Sequence, residues 1–351
     1  MTTPTAQQQR ILSLLLRESS MRSSQVHKVL LSMEEKLSLI TVKRVLAGMA
    51  NMQLLATSGA GRSTSYAIAT KGRLFLDVDA KQYCSIEPDE RYGSVGFRFD
   101  LLDDAPTELF TDSELQTLHD ATLEYRKRTA RISKTIAAKE LERLVIELSW
   151  KSSRIEGNTY TLLDTEKLIL EHREAPGHDK REARMILNHK DAFSLIHEHA
   201  RDFRTLTRGN LEELHATLVK GMGVGKGFRK STVGVTGSLY KPLDNIHQIT
   251  DAIQTLEKAV ARMKTPYAKA LLALVNIAYI QPFEDGNKRT SRLMANALLL
   301  AHKCAPLSYR SVNEDRYREA MLVFYELNSL MPLKKIFIEQ YDFAARNYAV
   351  K

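Results

Sequence analysis

Between Gln281 and Arg292 the chain reads Q-P-F-E-D-G-N-K-R-T-S-R, which bunches Asn287, Lys288, Arg289 and Arg292 behind a single glycine. Gly286 permits a turn closed to bulkier residues. If a helix starts at about Asn287, its free N–H groups and positive dipole end face the same turn as the cations, a setting suited to a nucleotide phosphate chain. Asp285 adds a carboxylate. Among that many cations, beside phosphates, it is placed to hold Mg²⁺, which favours carboxylate and phosphate oxygens together.

Two apolar stretches must position this turn. Tyr267 to Ile280 carries Leu271, Leu272 and Val275 at helical spacing and ends at Gln281 and Pro282, while Leu293, Ala297 and Leu300 give the following helix its core face. A third element points the same way. The stripe Leu141, Leu144 and Leu148, continued by fours, reaches Ser152 and then Glu156 before Gly157 and Asn158 close the helix. A carboxylate aimed inward needs a cation.

With those residues in register the chain resembles the Fic (Fido) family, whose signature is H-x-F-x-[D/E]-G-N-[G/K]-R-x-x-R. Phe283, Asp285, Gly286, Asn287, Arg289 and Arg292 fall in place, Lys288 is similar to the N-K-R variant of Doc-like members, and Gln281 stands where the family has histidine. Ser152, Glu156 and Gly157 resemble the family's inhibitory motif, [S/T]-x-x-x-E-[G/N], in the arrangement that precedes the signature. The resemblance implies an autoinhibited protein adenylyltransferase that moves AMP from ATP onto a protein hydroxyl. In it Asp285 would carry Mg²⁺, Gly286, Asn287 and Lys288 would line the phosphate nest, and Arg289 and Arg292 would neutralise the phosphates. Glu156 would pair with Arg292 and deny it to the γ-phosphate.

Gln281 is the departure that matters, because a neutral amide cannot take the proton of an attacking hydroxyl, and loss of a positioned base costs about 10²–10⁴-fold in rate. Either the chain is a slow transferase in which Gln281 only orients the hydroxyl, or it binds nucleotide without transferring it and acts as a DNA-binding transcriptional regulator. Transfer of phosphate instead of AMP is a third outcome. His215 and His247 stand as substitute bases. The stretch G-M-G-V-G-K-G-F-R from Gly221 is not a Walker loop; it is similar to the G-x-F-R turn and the β-hairpin flap of Fic domains. Val233 and Val235 alternate around Gly234, residues 237–242 would form the edge that receives a target segment, and Tyr240 either covers the nucleotide base or caps the hairpin.

At 351 residues, 43% hydrophobic and 26% charged, the chain is long enough for two domains of ordinary globular composition. It has no eighteen-residue apolar run and its start lacks the pattern of an export signal, so the expectation is a cytoplasmic protein that spans no membrane. Cys84 and Cys304 read as free thiols. The charge is lopsided. Residues 1 to 75 hold ten Lys/Arg against three acids, so +7 of the net +9 lies there.

Within residues 1–78, three helical stripes (Ile11, Leu14, Leu15; Val26, Val29, Leu30; Val42, Val45, Leu46, Met49) precede strands over residues 54–57 and 65–70 joined by S-G-A-G-R-S. That order resembles the winged helix-turn-helix. The resemblance implies DNA contact through Thr41, Lys43 and Arg44 on the third helix and Arg62 in the hairpin; the competing use is protein contact or dimerisation, with a second copy of the chain as partner. The expected architecture is mainly α: a winged-helix (α+β) domain over 1–78, a linker over 79–110, and over 111–351 a helical Fic-like domain with a small β-hairpin flap.

Overall fold

The computed structural model describes residues 3–35 and 37–350. Lys36, one of the ten basic residues counted above, lies outside them, as do Met1, Thr2 and Lys351. Helix α1 (Ala6–Arg17) starts at a capping box in which Thr5 accepts from Gln8 N–H and Gln8 reaches back to Thr5. α2 (Ser23–Ser32) and α3 (Leu39–Asn51) follow, the latter capped by Ser38, whose hydroxyl accepts from Thr41 N–H. Strands β2 (Leu55–Ser58) and β3 (Ser65–Ile68) pair antiparallel, Leu55 opposite Ile68 and Ser58 opposite Ser65. A two-residue strand, β1 (Met21–Arg22), joins the other edge of β3 and gives the order β1-β3-β2. Two residues are too short for any periodicity to announce them. The three expected stripes meet in one small core, with Ile11, Val26, Val42 and Leu46 at 1% exposure or less.

The stretch expected as a linker carries structure of its own. After α4 (Thr70–Leu74) come α5 (Ala80–Cys84) and α6 (Asp100–Asp103), and each seals a seam: Tyr83 packs with Val323 and Leu327, while Leu101 and Leu102 enter the main core. These helices are too short to show a helical period among so many acids.

The rest is helical: α7 (Asp112–Arg131), α8 (Lys134–Ile155), α9 (Leu162–Glu171), α10 (Lys180–Glu198), α11 (Arg208–Leu218), α12 (Ile246–Arg262), α13 (Pro266–Ile280), α14 (Asn287–Ala301), α15 (Glu314–Leu327) and α16 (Met331–Asn347). The protein is mainly α with one small antiparallel sheet. α13 is apolar around nearly its whole circumference, so it runs through the centre of the body and packs along α14. No helix among the described residues is long and apolar enough to cross a membrane.

The expected hairpin flap is absent. Residues 233–242 form no strand pairs within themselves; they turn at 235–238, where Ser238 N–H donates to Val235 O at 3.2 Å and Gly237 has a φ of 74°, and one parallel bridge between Gly96 and Lys241 ties them to the 91–96 stretch. Arg229 holds the two ends of this segment instead: it is 2% exposed, and its guanidinium donates to the carbonyls of Ser231 at 2.7 Å and Leu243, which flank the segment, and of Gln281 at 2.7 Å.

Candidate active site

α13 ends on Gln281, whose φ of 53° turns the chain out of the helix, and α14 begins after Gly286, whose φ of 82° turns it back. A Cβ at 286 would meet Val219 Cγ1 at 3.3 Å and His215 at 3.7 Å, so both conformation and space call for glycine. Asn287 holds the turn between them. Its Oδ1 accepts from Phe283 N–H at 2.8 Å, and its Nδ2 donates to Phe283 O at 2.8 Å and to Gln281 Oε1 at 2.9 Å. The Gln281 amide is held at the other end too, its Nε2 donating to Ala278 O at 2.7 Å. It is 7% exposed and lines the cavity.

That cavity, about 310 Å³, lies over the uncapped N-terminus of α14. Lys288 and Arg289 face it from α14, Arg181 from α10, and Glu284 and Asp285 from the turn. Arg289 is 2% exposed and its Nη1 is buried without a hydrogen-bond partner, an orphaned donor that a phosphate oxygen would satisfy. Burial pushes the Arg289 pKa down, against the pull of Asp285. Asp285 Oδ1 accepts from Gly286 N–H at 2.6 Å; its Oδ2 lies 3.2 Å from Arg181 and 3.6 Å from Arg289. With the side chain 46% exposed, that oxygen can exchange its cationic neighbours for Mg²⁺, which needs only a carboxylate or two beside substrate phosphates.

Glu156 ends α8 and closes the cavity on one side. It accepts from Arg292 Nη1 at 2.8 Å, and its other oxygen lies 3.8 Å from Lys288 Nζ. Arg292 is 0% exposed, and Ser152 holds the rest of its guanidinium: Nε donates to the Ser152 hydroxyl and Nη2 to its carbonyl, each at 2.9 Å. Gly157, at φ 95°, turns the chain away. Burial opposes charge on Glu156, yet Arg292 first and Lys288 second outweigh it and hold the carboxyl below the usual carboxylate range. Beyond Glu156 lies a second, more apolar cavity of about 390 Å³, lined by Ile155, Tyr317, Met321 and Tyr325 and sharing Val235 and Thr236 with the first.

The structure thus brings together Gln281, Asp285, Gly286, Asn287, Lys288, Arg289 and Arg292, with Ser152, Glu156 and Gly157 beside them. Tyr240 is not among them. At 1% exposure it stacks on Tyr279 and Tyr325 and donates its hydroxyl to Tyr279 O at 2.7 Å, so no face is left for a nucleotide base. Arg181 is the residue that sequence reasoning missed; nothing in K-R-E-A-R distinguishes it from a solvated helix start.

His215 does not serve as a base. Its Nε2 lies 2.9 Å from Asp285 O, and since a carbonyl only accepts, that nitrogen carries the proton; Nδ1 is buried without a partner. The ring stacks on Phe283, 3.6 Å between centroids, so its work is to seat the turn. His247 is exposed and lies outside the lining of either cavity. Burial lowers the His215 pKa to about 4, against the carbonyl bond that raises it. A histidine shifted down favours the folded state above its unfolded pKa and loses that contribution as pH falls toward the folded value. Between pH 7 and pH 4.5 the native chain should therefore lose about 2 kcal/mol more stability than a His215→Gln variant, read from denaturant unfolding at both pH values.

In the N-terminal unit Lys43 and Arg44 are exposed on α3, next to Ile40 at 80% exposure, and Arg62 is exposed in the turn between β2 and β3. Thr41 is half-buried, its hydroxyl 3.0 Å from Ser38 Oγ at the helix start, so it presents less than its neighbours.

Comparison with known proteins agrees with the turn. Residues 205–299 match the family model described as Fic/DOC family. The protein adenylyltransferase Fic of Aedes aegypti is 26% identical over 238 residues, covering 59% of this chain and 47% of that protein. A probable protein adenylyltransferase of Aquifex aeolicus is 28% identical over 110 residues, 31% of this chain and 33% of its own length. The chain spans about half the length, or less, of the curated relatives it matches. Among solved structures, a Fic family protein from Desulfovibrio desulfuricans superposes with a TM-score of 0.57 at 21% identity, covering 69% of this chain and 75% of that one. A Fic domain containing signaling protein from Bacteroides thetaiotaomicron gives 0.56 at 18% identity, covering 66% of this chain and 94% of that one. These two are likenesses of fold. Residues 205–299, which carry the turn from Gln281 to Arg292, match the Fic/DOC family model, and they lie within a larger helical body whose fold is like that of these solved structures.

Proposed function

We propose that the chain is a protein adenylyltransferase restrained by its own Glu156 and slowed by Gln281. The observation that carries this reading is Arg292: a fully buried cation beside a phosphate-shaped turn, held by a carboxylate from another helix. ATP is the substrate. Its phosphates lie over Gly286, Asn287 and Lys288 against Arg289, and its base enters the apolar cavity beside Tyr317 and Tyr325. Asp285 would hold Mg²⁺, which supplies charge neutralisation on the phosphates. The target hydroxyl oxygen bonds to the α-phosphorus, the bond to the bridging oxygen breaks, and pyrophosphate leaves. Because Gln281 cannot take the hydroxyl proton, it passes to a phosphate oxygen or to water, and the step is slow. The target lies along the wall at 233–236.

The test is incubation of the native chain and a Glu156→Gly variant with α- or γ-labelled ATP. Transfer of the α-label, stronger in the variant, supports the reading; γ-label transfer makes the protein a kinase. No label on protein from any variant, together with no ATP binding, removes it.

The N-terminal unit favours a second activity. Three helices and a small sheet over residues 1–78, in winged-helix order, expose Lys43, Arg44 and Arg62 where such a unit meets a duplex, and most of the chain's excess positive charge lies there. On this division residues 79–110 connect it to a Fic-like domain over 111–351 in a cytoplasmic regulator, and a second copy of the chain can complete the DNA-bound form. Each of Lys43→Ala and Arg44→Ala should weaken duplex binding and lower the slope of log affinity against log salt by about 1, measured by fluorescence anisotropy. Unchanged slopes would assign this face to protein contact.

A further inference from the structure

Residues 233–236 wall the first cavity, and Val235 and Thr236 wall the second as well, yet the segment 233–238 has no strand partner to hold its shape. Apart from its own turn, in which Ser238 N–H donates to Val235 O at 3.2 Å, what fastens it comes from outside residues 205–299. Ser238 donates its hydroxyl to Glu326, at the end of α15, at 2.6 Å; Arg91 Nη1 donates to Gly237 O at 2.9 Å; Lys241 N–H donates to Val95 O at 2.7 Å. Glu326 is 2% exposed, and a carboxylate so far from water must be met by donors. They are Ser238, the Tyr83 hydroxyl at 2.6 Å and Arg91 at 3.4 Å. The other Arg91 nitrogens donate to Ile86 O at 2.8 Å and Cys84 O at 3.1 Å, so one guanidinium ties the connector, the carboxylate and the cavity wall together.

The same cluster reaches the N-terminal unit. Tyr92 meets Tyr83 edge-on with centroids 5.3 Å apart, and Arg17 of α1 lies over the Tyr92 ring at 4.5 Å, while Leu16 packs against the Tyr83, Val323 and Leu327 group.

We propose that Glu326 and Arg91 are positioning residues for the polypeptide target, fixing 233–238 in the shape the target lies against, and that Arg17 couples this clasp to the N-terminal unit. The target half rests on the transferase reading. The clasp and its coupling do not, because they are read without ATP.

The test is amide hydrogen exchange of the full-length protein, native against Glu326→Gln, Arg91→Ala, Arg91→Lys and Arg17→Ala. Loss of a bond to a buried charge should speed exchange at 233–238 by about tenfold or more in Glu326→Gln and Arg91→Ala. Arg91→Lys, which keeps a donor for Gly237, should recover part of the protection, and Arg17→Ala should speed the same amides by about two- to fivefold. If α13 amides also lose protection the variant has opened globally, and Ser238→Ala, which cuts the same bond from the loop side, decides the matter. Unchanged exchange at 233–238 in Glu326→Gln or Ser238→Ala overturns the clasp; a silent Arg17→Ala overturns its coupling to the N-terminal unit.

Discussion

A chain carrying Gln281→His together with Glu156→Gly is expected to transfer α-label from ATP about 10²–10⁴-fold faster than Glu156→Gly alone. The backbone is ready for the exchange. Gln281 has a φ of 53°, a left-handed conformation that histidine enters more readily than most residues, so the substitution adds little strain. The neighbours are ready as well. Ala278 O already accepts from the amide nitrogen at 2.7 Å, and a ring N–H that keeps this bond fixes the tautomer and leaves the other nitrogen unprotonated, as a base requires. The rate should then rise with pH through roughly 6–7, the ordinary range of an imidazole, whereas Glu156→Gly alone shows no such step. Equal labelling by the single and double variants would show that position 281 takes no part in moving the proton.

The cationic turn was legible in the sequence because everything it needs is local. Gly286, the cations behind it and the two apolar helices lie within one run, and helical spacing alone places them. Glu156 was legible for a different reason: stepping by fours along α8 carries a buried stripe onto a carboxylate, and a buried carboxylate implies a partner. The partner, 136 residues away, came from the family resemblance, and the geometry places it at 2.8 Å.

What was not legible depends on contacts that no spacing records. Val233 and Val235 alternate as a strand does, but a strand needs a partner, and Arg229 together with the connector claims the backbone groups of that region. Tyr240 stands beside the cavity wall in sequence, yet the aromatic surface of Tyr279 and Tyr325 draws it inward. Glu326 reads as one more acid on a surface helix. Its burial follows only from the packing of α5 against α15, which brings Tyr83 and Arg91 to it.

Glu156→Gly should make the protein less stable and ATP more welcome, and the two effects have one cause. Arg292 is fully buried, and removing the carboxylate leaves its positive charge with the Ser152 hydroxyl and carbonyl and the Tyr317 ring, 5.7 Å away, but no anion. An unpaired buried cation of this kind, softened by the partial exposure of Glu156, costs about 2 kcal/mol, or roughly 4–8 °C in Tm for a domain of this size. A phosphate can take the vacated place beside Arg292 and Lys288, so ATP with Mg²⁺ should bind about tenfold tighter or better and restore about 1–3 kcal/mol when present well above its Kd. Glu156→Gln, which keeps the side chain's length, should show a smaller gain because the amide still occupies the space. Acid is not a substitute for the mutation. The Glu156 carboxyl titrates below its ordinary range, so its contribution is present above the unfolded pKa and lost only as pH falls through the lowered folded value, well under neutrality. Scanning calorimetry with and without ATP separates the outcomes: a variant that loses stability but gains no affinity for ATP would make Arg292 a structural cation, and the restraint by Glu156 would have to be abandoned.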